Sequence, residues 1–391
     1  MTGEPHFTKK MKNPGCLIKS IKFPNLPKDL ILTVDEVGLV QIVFSDASHE
    51  LLSYQLSCKT EAWSMDYVYR SPNQLDLYLG SAAGGIYCLS IEIGTDNRKD
   101  LDGLKADSSL KWQHKADNMV TKIRLCDVTG DGRKEIIASS VDHSLRVLDA
   151  ETGNFMWGQL FQTAITLFSV FDCDNDGNLE IAASSSDGDV RVFSGQNGGL
   201  KYFSHFPKNV RTIELVSSHD SSISKNSLIV LGCDNQQIYL WDFINEEIIK
   251  SMKMPSYVWY SGKYETPNNQ QMLFETSYTF DFMEGLVLED MESKPVIRFF
   301  EIDDFTVAGE LEGINIQCHS EILAIGPSLY MCCGTTDGSL HVIDLIAQDI
   351  VKSVKVSAII NCIDAYIHDN KLFVLFCDDA SLMHEFEFSL K

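Results

Sequence analysis

The chain has 391 residues, of which 44% are hydrophobic and 22% charged, which is enough apolar material for a large buried core. Acidic residues outnumber lysine and arginine 55 to 32, giving a formal net charge of −23 at pH 7. Such a surface repels phosphate backbones, so we expect no nucleic acid partner; the charge serves solubility or attracts proteins with basic surfaces. No run of about 18 or more apolar residues occurs, so we expect no membrane span.

The N-terminal segment, MTGEPHFTKKMKNPG, has lysines but no apolar stretch after them, and it is therefore not expected to be a secretory signal. The 11 cysteines include no C-x-x-C pair, and most lie in apolar runs. Buried free thiols of this kind are typical of a reducing compartment, so we expect a cytoplasmic protein, with a ciliary or nuclear pool left open. The pair Cys332-Cys333 is interpreted as packing.

Internal repeats organise the sequence. Residues 135–153 (EIIASSVDHSLRVLDAETG) match residues 180–198 (EIAASSSDGDVRVFSGQNG) at nine of nineteen positions, at an offset of 45. A second pair, residues 240–254 and 342–356, lies at an offset of 102, close to two such units. Alternating apolar strands with turn signals between them predict antiparallel β structure.

Eight repeat units can be placed, each with the length of a four-stranded propeller blade. We predict an all-β fold, a single β-propeller domain over residues 1–391 with eight four-stranded blades. The first strands are expected near Leu17, Ala62, Val120, Ala164, Val210, Val258, Glu321 and Ile360. Seven blades is the alternative, because the sixth unit (257–311) is irregular.

The last unit, from Ile360 onward, supplies only three strands before the chain stops. The N-terminal segment His6–Lys12 resembles the fourth strands at 249–254 and 351–356. We therefore predict that this N-terminal strand completes the last blade, because an unpaired edge would expose a row of backbone donors and acceptors.

Two polar insertions interrupt the repeats, at 94–109 and 281–294. Both are predicted to be contact loops for partner proteins. In the second, Phe282, Leu286 and Leu288 are apolar residues among acids. This mixture is typical of a docking strand or short helix, although a buried excursion of the blade would have the same pattern.

Two acidic loops precede the repeated apolar strands. The candidate ligands of the first are Asp172, Asp174, Asp176, Asn178 and Glu180, and those of the weaker upstream copy are Asp127, Thr129, Asp131, Arg133 and Glu135. Oxygens at alternate positions of a tight loop can converge on a hard cation such as calcium. A plain turn, in which each aspartate caps local N–H groups, is the alternative.

These motifs carry a family resemblance. The pattern D-x-D-x-D-G-x-x-E before an apolar strand resembles the FG-GAP repeats of integrin-α-type propellers. The run Asp149 to Trp157 is similar to the repeat of quinoprotein-like eight-bladed propellers, and Leu240-Trp241-Asp242 and Val342-Ile343-Asp344 look WD40-like. The likeness is concentrated in residues 117–206. It implies structural calcium that braces the outer turns of two blades, and no required cofactor.

The sequence lacks the G-x-S-x-G elbow, phosphate loop and H-E-x-x-H motif of common enzyme classes. His319 near Glu321, and His384 beside Glu385, come nearest to acid/base pairs, and we interpret them as surface or satisfied structural groups. The five tryptophans, spread over several units, are interpreted as packing between blades.

We therefore expect a non-enzymatic interaction scaffold, or a subunit of a cytosolic multiprotein complex of trafficking, ciliary or signalling type. Residues 117–206 resemble the FG-GAP-bearing propellers of Bardet–Biedl-type trafficking and nutrient-signalling complexes. An enzyme with a funnel-end active site (hydrolase or oxidoreductase) and a calcium-regulated adaptor remain open alternatives.

Overall fold

The structure is a computed structural model that describes residues 5–26, 29–45, 49–94, 104–216, 227–278 and 294–390. Within these ranges all regular structure is β, apart from turns and bends. The strands form eight antiparallel sheets, each with four strands along its main path. The fold is an eight-bladed β-propeller, which confirms the predicted class and the count of eight over seven.

The strands follow one another in chain order. The N-terminal strand is β1 (Phe7–Lys10). Blade 1 contains β2 (Gly15–Ile21), β3 (Leu30–Asp35), β4 (Leu39–Phe44) and β5 (Glu50–Gln55). Blade 2 contains β6 (Ala62–Ser71), β7 (Gln74–Ser81), β8 (Gly85–Ile93) and β9 (Ala106–Lys115). Blade 3 contains β10 (Val120–Cys126), β11 (Glu135–Ser140), β12 (Ser144–Asp149) and β13 (Phe155–Leu160). Blade 4 contains β14 (Ile165–Phe171), β15 (Glu180–Ser185), β16 (Asp189–Ser194) and β17 (Leu200–His205).

The remaining blades repeat this plan. Blade 5 contains β18 (Val210–Val216), β19 (Leu228–Cys233), β20 (Gln237–Asp242) and β21 (Glu247–Lys253). Blade 6 contains β22 (Tyr257–Glu265), β23 (Gln271–Tyr278), β24 (Val296–Glu301) and β25 (Thr306–Glu312). Blade 7 contains β26 (Ile316–His319), β27 (Leu323–Ile325), β28 (Ser328–Thr335), β29 (Ser339–Asp344) and β30 (Asp349–Lys355). Blade 8 contains β31 (Ile360–His368), β32 (Lys371–Asp378) and β33 (Leu382–Phe388), together with β1.

Burial along each blade explains its sequence pattern. The second strands are buried over most of their length, and EIIASS of β11 and LIVLGC of β19 are buried at every position, as expected for strands covered on both faces. The fourth strands are more exposed, and in FMWGQL of β13 and LKYFSH of β17 exposed residues alternate with half-buried ones over most of the strand. The continuous apolar runs and the alternating runs of the repeat therefore mark the middle and the edge of each sheet.

The chain divides into two compact units. Unit 1 comprises Met1–Leu125, Leu148–Asn154 and Gln317–Lys391, and unit 2 comprises Cys126–Val147 and Phe155–Ile316. Within unit 1, one core cluster joins apolar residues of blades 1 and 2, and another joins those of blades 7 and 8. Within unit 2, one cluster joins blades 4 and 5 and another joins blades 5 and 6.

The N-terminal strand completes blade 8, as the sequence predicted. Strand β1 pairs antiparallel with β33, with Phe7 opposite Glu385 and Lys10 opposite Leu382. His6 Nδ1 lies 2.6 Å from Glu385 Oε2, and Thr8 Oγ1 lies 3.1 Å from His384 Nδ1.

Several sequence expectations differ from the structure in their details. Glu321 lies between β26 and β27, because the inner strand of blade 7 is interrupted there. Residues 95–103 and 281–293 of the two insertions lie outside the described residues, as do Phe282, Leu286 and Leu288. Ala106–Ser109, placed in the first insertion, belong to strand β9. The single-domain boundary over 1–391 stays a prediction.

The tryptophans differ in their surroundings. Trp112 Nε1 donates to the carbonyl oxygen of Ala150 in the next blade at 3.0 Å, and Trp157 Nε1 donates to Gly195 at 3.1 Å. Trp241 is fully buried. Trp63, in contrast, is 53% exposed, so it does not have the packing role predicted for all five.

Cys332 and Cys333 are fully buried free thiols in β28, as predicted for packing residues. Among the described residues, no helix is long and apolar enough to cross a membrane.

Candidate functional site

The two acidic loops occupy equivalent places in neighbouring blades. One connects β10 to β11, and the other connects β14 to β15. Each ends in a glutamate at the first position of the following strand, Glu135 or Glu180, and both of these side chains are buried. Each loop therefore delivers one carboxylate into the protein interior.

In the loop of blade 4, aspartates hold the backbone of the turn. Asp172 accepts hydrogen bonds from the N–H groups of Asp176 (3.2 Å) and Gly177 (2.9 Å). Asp176 accepts the N–H of Asn178 at 2.8 Å. Gly177 has a φ of +85°, which the tight turn requires and which most residues rarely adopt. Locally, the acids act as caps of a turn.

A lysine that the sequence analysis did not single out neutralises the inner side of this loop. Lys201 Nζ, from β17, lies 2.6 Å from Glu180 Oε1 and 2.9 Å from Asp174 Oδ2. The other oxygen of Glu180 accepts the N–H of Cys173 at 3.0 Å. Burial alone would lower the pKa of Lys201, but its bonds to Glu180 and Asp174 outweigh burial and raise that pKa. The buried carboxylate of Glu180 is thus paired with a cation from the same chain.

The predicted carboxylate ligands of this loop lie in two groups that share Asp174, one with Asp172 and Asp176 and one with Glu180 and Cys173. Oxygens of Asp172, Asp174 and Asp176 lie within 4.8 Å of one another, and Asp174 Oδ1 is buried without a hydrogen-bond partner among the described residues. These three carboxylates fit a hard cation and would hold it by their oxygens. The other two predicted ligands already have partners, since Gln196 donates to Asn178 Oδ1 and Lys201 pairs with Glu180 as it does with Asp174.

In the blade 3 loop the same turn is held by Asp127. Its carboxylate accepts the N–H groups of Gly130 and Gly132, both at 2.8 Å. The guanidinium of Arg133 pairs with Asp131 at 2.6 Å, and hydrogen bonds from Arg133 lower the pKa of Asp131. The predicted position Arg133 therefore supplies a cation to the loop.

The buried glutamate of this loop is held by backbone groups. Glu135 Oε2 accepts the N–H groups of Val128 (2.9 Å) and Thr129 (3.2 Å). Burial raises the pKa of Glu135. Oxygens of Asp127, Asp131 and Glu135 approach within 4.8 Å of one another, while Thr129 Oγ1 is buried without a partner among the described residues. Metal binding at either loop stays a prediction.

The histidine pairs noted in the sequence are held in structural contacts. His319 Nδ1 lies 2.8 Å from the carbonyl oxygen of Ser320, and burial lowers the pKa of His319. Glu321 is 80% exposed and pairs with Lys19 at 3.1 Å, so these two residues do not form an acid/base pair.

His384 and Glu385 have separate partners. His384 Nε2 lies 3.1 Å from Asp378 Oδ2, whereas Glu385 Oε1 accepts the hydroxyl of Tyr366 at 2.8 Å. Both residues also contact the N-terminal strand, so they are satisfied structural groups of blade 8.

The outermost strands carry a feature that the sequence analysis missed. Most of the exposed large apolar side chains lie on these strands, at the free edges of the sheets. They are Leu110, Phe155, Met156, Leu160, Leu200, Phe203, Ile248, Val307 and Val351. The sequence of the fourth strands could have revealed them. Successive side chains of a strand point to opposite faces of the sheet, so an apolar residue among the exposed positions of an edge strand faces solvent.

No family model matches the chain, and no curated protein matches its sequence. Similarity to solved structures is extensive at low identity. Sqt1 from Saccharomyces cerevisiae is 11% identical, with a TM-score of 0.69 and full coverage of both chains. BamB from Moraxella catarrhalis is also 11% identical, with a TM-score of 0.60, over 99% of this chain and 100% of that one. The computationally designed protein Ika8 is 11% identical, with a TM-score of 0.64, over 97% and 98%. At this identity the likeness establishes the propeller fold.

Proposed function

We propose that this protein is a non-enzymatic platform for protein–protein interaction, acting as a subunit of a cytoplasmic multiprotein complex. The observation that carries the proposal is the concentration of exposed apolar side chains on the outermost strands. Leu160 is 72% exposed, Leu200 58% and Phe155 55%. Apolar side chains on a free sheet edge cost solubility unless a partner covers them, so such edges are typical of contact surfaces.

The finer assignment rests on motif resemblance. The acidic loops of blades 3 and 4 have the FG-GAP-like pattern, and the repeats of residues 117–206 are similar to those of quinoprotein-like propellers. We place the protein with propellers of trafficking, ciliary or signalling complexes on that basis. The net charge of −23 favours partners with basic surfaces around the apolar contacts.

The experiment is cross-linking followed by affinity purification of the tagged full chain. A double variant, Leu160→Glu with Leu200→Glu, places charge at two apolar positions. Its matched control, Ser109→Glu with Gln113→Glu, adds the same charge at exposed polar positions of the outermost strand β9. Partners should be recovered in constant ratio with the wild type and the control, and lost from the apolar double variant.

Two results would refute the proposal. One is a wild-type chain that is recovered without any partner in constant ratio. The other is an apolar double variant that keeps every partner while melting at the wild-type temperature.

A further inference from the structure

A groove of about 500 Å³ lies beside the N-terminal strand within unit 1. Its polar lining includes Lys9, Lys10 and Lys12 on one side and Gln41, Glu50 and Ser53 on the other. Its apolar lining includes Met11, Val43 and Met383, which are buried in the core cluster shared by blades 8 and 1. A concave site with an apolar floor and a few polar groups is the usual form of a binding pocket.

Lys9 is the central cation of this groove. The alternation of β1 places Lys9 on the same side as Phe7 and Met11, which pack against the core, and the lysine is half-buried. Among the described residues no carboxylate oxygen lies within 4.0 Å of Lys9 Nζ. Burial lowers the pKa of Lys9, with Glu50 opposing that effect. Since Glu50 already accepts a hydrogen bond from Gln41 at 2.8 Å, the groove holds a half-buried ammonium that forms no close ion pair within the part of the chain that the structure describes.

Charge and strand geometry define what fits the groove. The lining contains three lysines and one glutamate, a local excess of positive charge in a chain whose formal net charge is −23. Strand β1 pairs with β33 on one side, and within the described ranges no strand pairs with its other side. A free strand edge next to a groove is the geometry in which an extended peptide adds as a further strand.

We propose that this groove binds an extended acidic segment of a partner protein. The segment's carboxylates pair with Lys9 and Lys12, and its apolar side chains rest on Met11 and Val43. The inference rests on the proposed function in one respect, namely that the ligand of the groove is a segment of a partner protein. It adds specificity, because the groove selects an acidic segment whereas most of the surface favours basic ones.

The test measures binding of labelled peptides to the full chain by fluorescence anisotropy at about 50 mM salt. The probes are a hexapeptide of alternating glutamate and leucine, hexaglutamate and hexalysine. We expect the alternating peptide to bind most tightly, hexaglutamate more weakly, and hexalysine not to bind at this site. The variant Lys9→Met, which keeps the side chain's length, should weaken binding of the alternating peptide about tenfold or more.

Lys115→Met is the control, because Lys115 is likewise a lysine on an outermost strand, at the end of β9, but it is exposed and lies outside the groove. This variant should bind the alternating peptide like the wild type. Lys12→Met provides a second test in which the core-facing side of β1 is left intact, and it should also weaken binding.

Three outcomes would overturn the proposal. Equal loss in Lys9→Met and Lys115→Met would show a non-specific charge effect. Displacement of the peptide by an equal concentration of inorganic phosphate would show a site for small anions only. Absence of binding by both acidic peptides would remove the groove as a site. Any of these results, together with partners still recovered in cross-linking, would refute the groove and leave the interaction platform standing.

Discussion

Lys201 and Met156 occupy equivalent positions in repeats 45 residues apart, yet their surroundings differ in charge. Lys201 pairs with the buried Glu180 and with Asp174. In the blade 3 loop the buried Glu135 is held by two backbone N–H groups, and its pKa is raised by burial. The lysine therefore supplies within the chain part of the positive charge that the motif's resemblance assigns to calcium.

Replacing Lys201 tests this interpretation. Lys201→Met, which introduces the residue found in the neighbouring repeat, should lower the free energy of unfolding at pH 7 by about 2 kcal/mol, because it leaves a buried carboxylate unpaired. Millimolar calcium should restore part of that stability in the variant, since the loop's acids then lack a cation. Urea unfolding with and without calcium measures both effects.

The exposed Lys208 provides the control, because Lys208→Met removes the same charge from the surface of the same unit. A wild-type protein that calcium stabilises as much as it stabilises Lys201→Met would contradict the interpretation. That result would support a resident metal site at Asp172, Asp174 and Asp176.

The buried carboxyl group of Glu275 should make the free energy of unfolding depend on pH. Its carboxyl is fully buried, it accepts the hydroxyl of Thr212 at 3.2 Å, and burial, with the nearby Glu214, raises its pKa well above the usual value. The folded state therefore holds this proton at pH values where the unfolded chain has released it. The stabilisation is complete below the unfolded pKa and is lost as pH rises, by about 1.4 kcal/mol for each pH unit until the folded pKa is reached.

Glu275→Gln keeps the side chain's size and the acceptor for Thr212 but cannot ionise. We expect the variant to gain stability over the wild type as pH rises from 5 to 9, measured by urea midpoints across that range. Glu247→Gln, which changes an exposed acid of the same unit, should follow the wild-type curve. A constant difference between Glu275→Gln and the wild type at all pH values would show that Glu275 does not titrate in this way.

At the scale of the element, the turn between the third and fourth strands carries a repeated contact. Gly198, with a φ of +70°, lies under the ring of Trp157 from the preceding blade, and Gly153, with a φ of +71°, lies under Trp112 in the same way. Gln159 Nε2 also donates to the carbonyl oxygen of Gly198 at 2.7 Å. The turn of one blade is thus held by the outermost strand of the blade before it. Glycine is needed at this position for two reasons: the backbone has a positive φ, and a Cβ would collide with the tryptophan ring.

Comparing Gly198→Ala with Gly177→Ala separates the cost of the positive φ from the cost of the collision with the ring. A Cβ at Gly198 would lie 2.5 Å from the Trp157 ring, whereas one at Gly177 would have nothing within 4 Å, although its φ is +85°. Gly177→Ala should cost about 1 kcal/mol for the left-handed conformation, and Gly198→Ala about 2 kcal/mol more for the clash. Thermal and urea unfolding measure both; equal losses would show that the ring yields without cost.

The elements show why sequence patterns located the blades but not the contacts within the loops. Second strands such as β19 are buried along their length, and fourth strands such as β17 alternate over most of theirs, so strand type follows from periodicity. The interruption of blade 7 at Glu321, and the pairing of Lys201 with Glu180, depend on which residues face each other across strands. That register is decided by packing, so one sequence does not specify it.

For the whole molecule, the fold followed from a repeat and from one missing strand. The offset of 45 residues indicated the length of one blade. The last unit has only three strands, which predicted that the N-terminal segment completes its sheet, and the structure confirms this by the pairing of β1 with β33. The exposed apolar side chains were not predicted, although the alternation of the fourth strands could have revealed them. The groove beside β1 could not be predicted, because it forms where separate segments approach one another. Repetition therefore determines architecture, while the candidate interaction sites depend on side chains that break the repeat.

Closure of blade 8 by β1 gives the last prediction. Removing residues 1–11 deletes the pairing with β33, the buried Met11, and the His6 partner of Glu385, whose carboxylate is almost fully buried. We expect the free energy of unfolding to fall by about 3 kcal/mol or more, and the exposed edge of β33 to promote self-association, because unpaired strand edges bind one another. Thermal unfolding and light scattering measure the two effects, with a chain lacking only residues 1–4 as the control.

A synthetic peptide of residues 5–13 should restore the melting temperature of the shortened chain in a concentration-dependent manner, since it binds the folded state alone. A shortened chain that stays monomeric and melts with the control would show that blade 8 does not need its fourth strand.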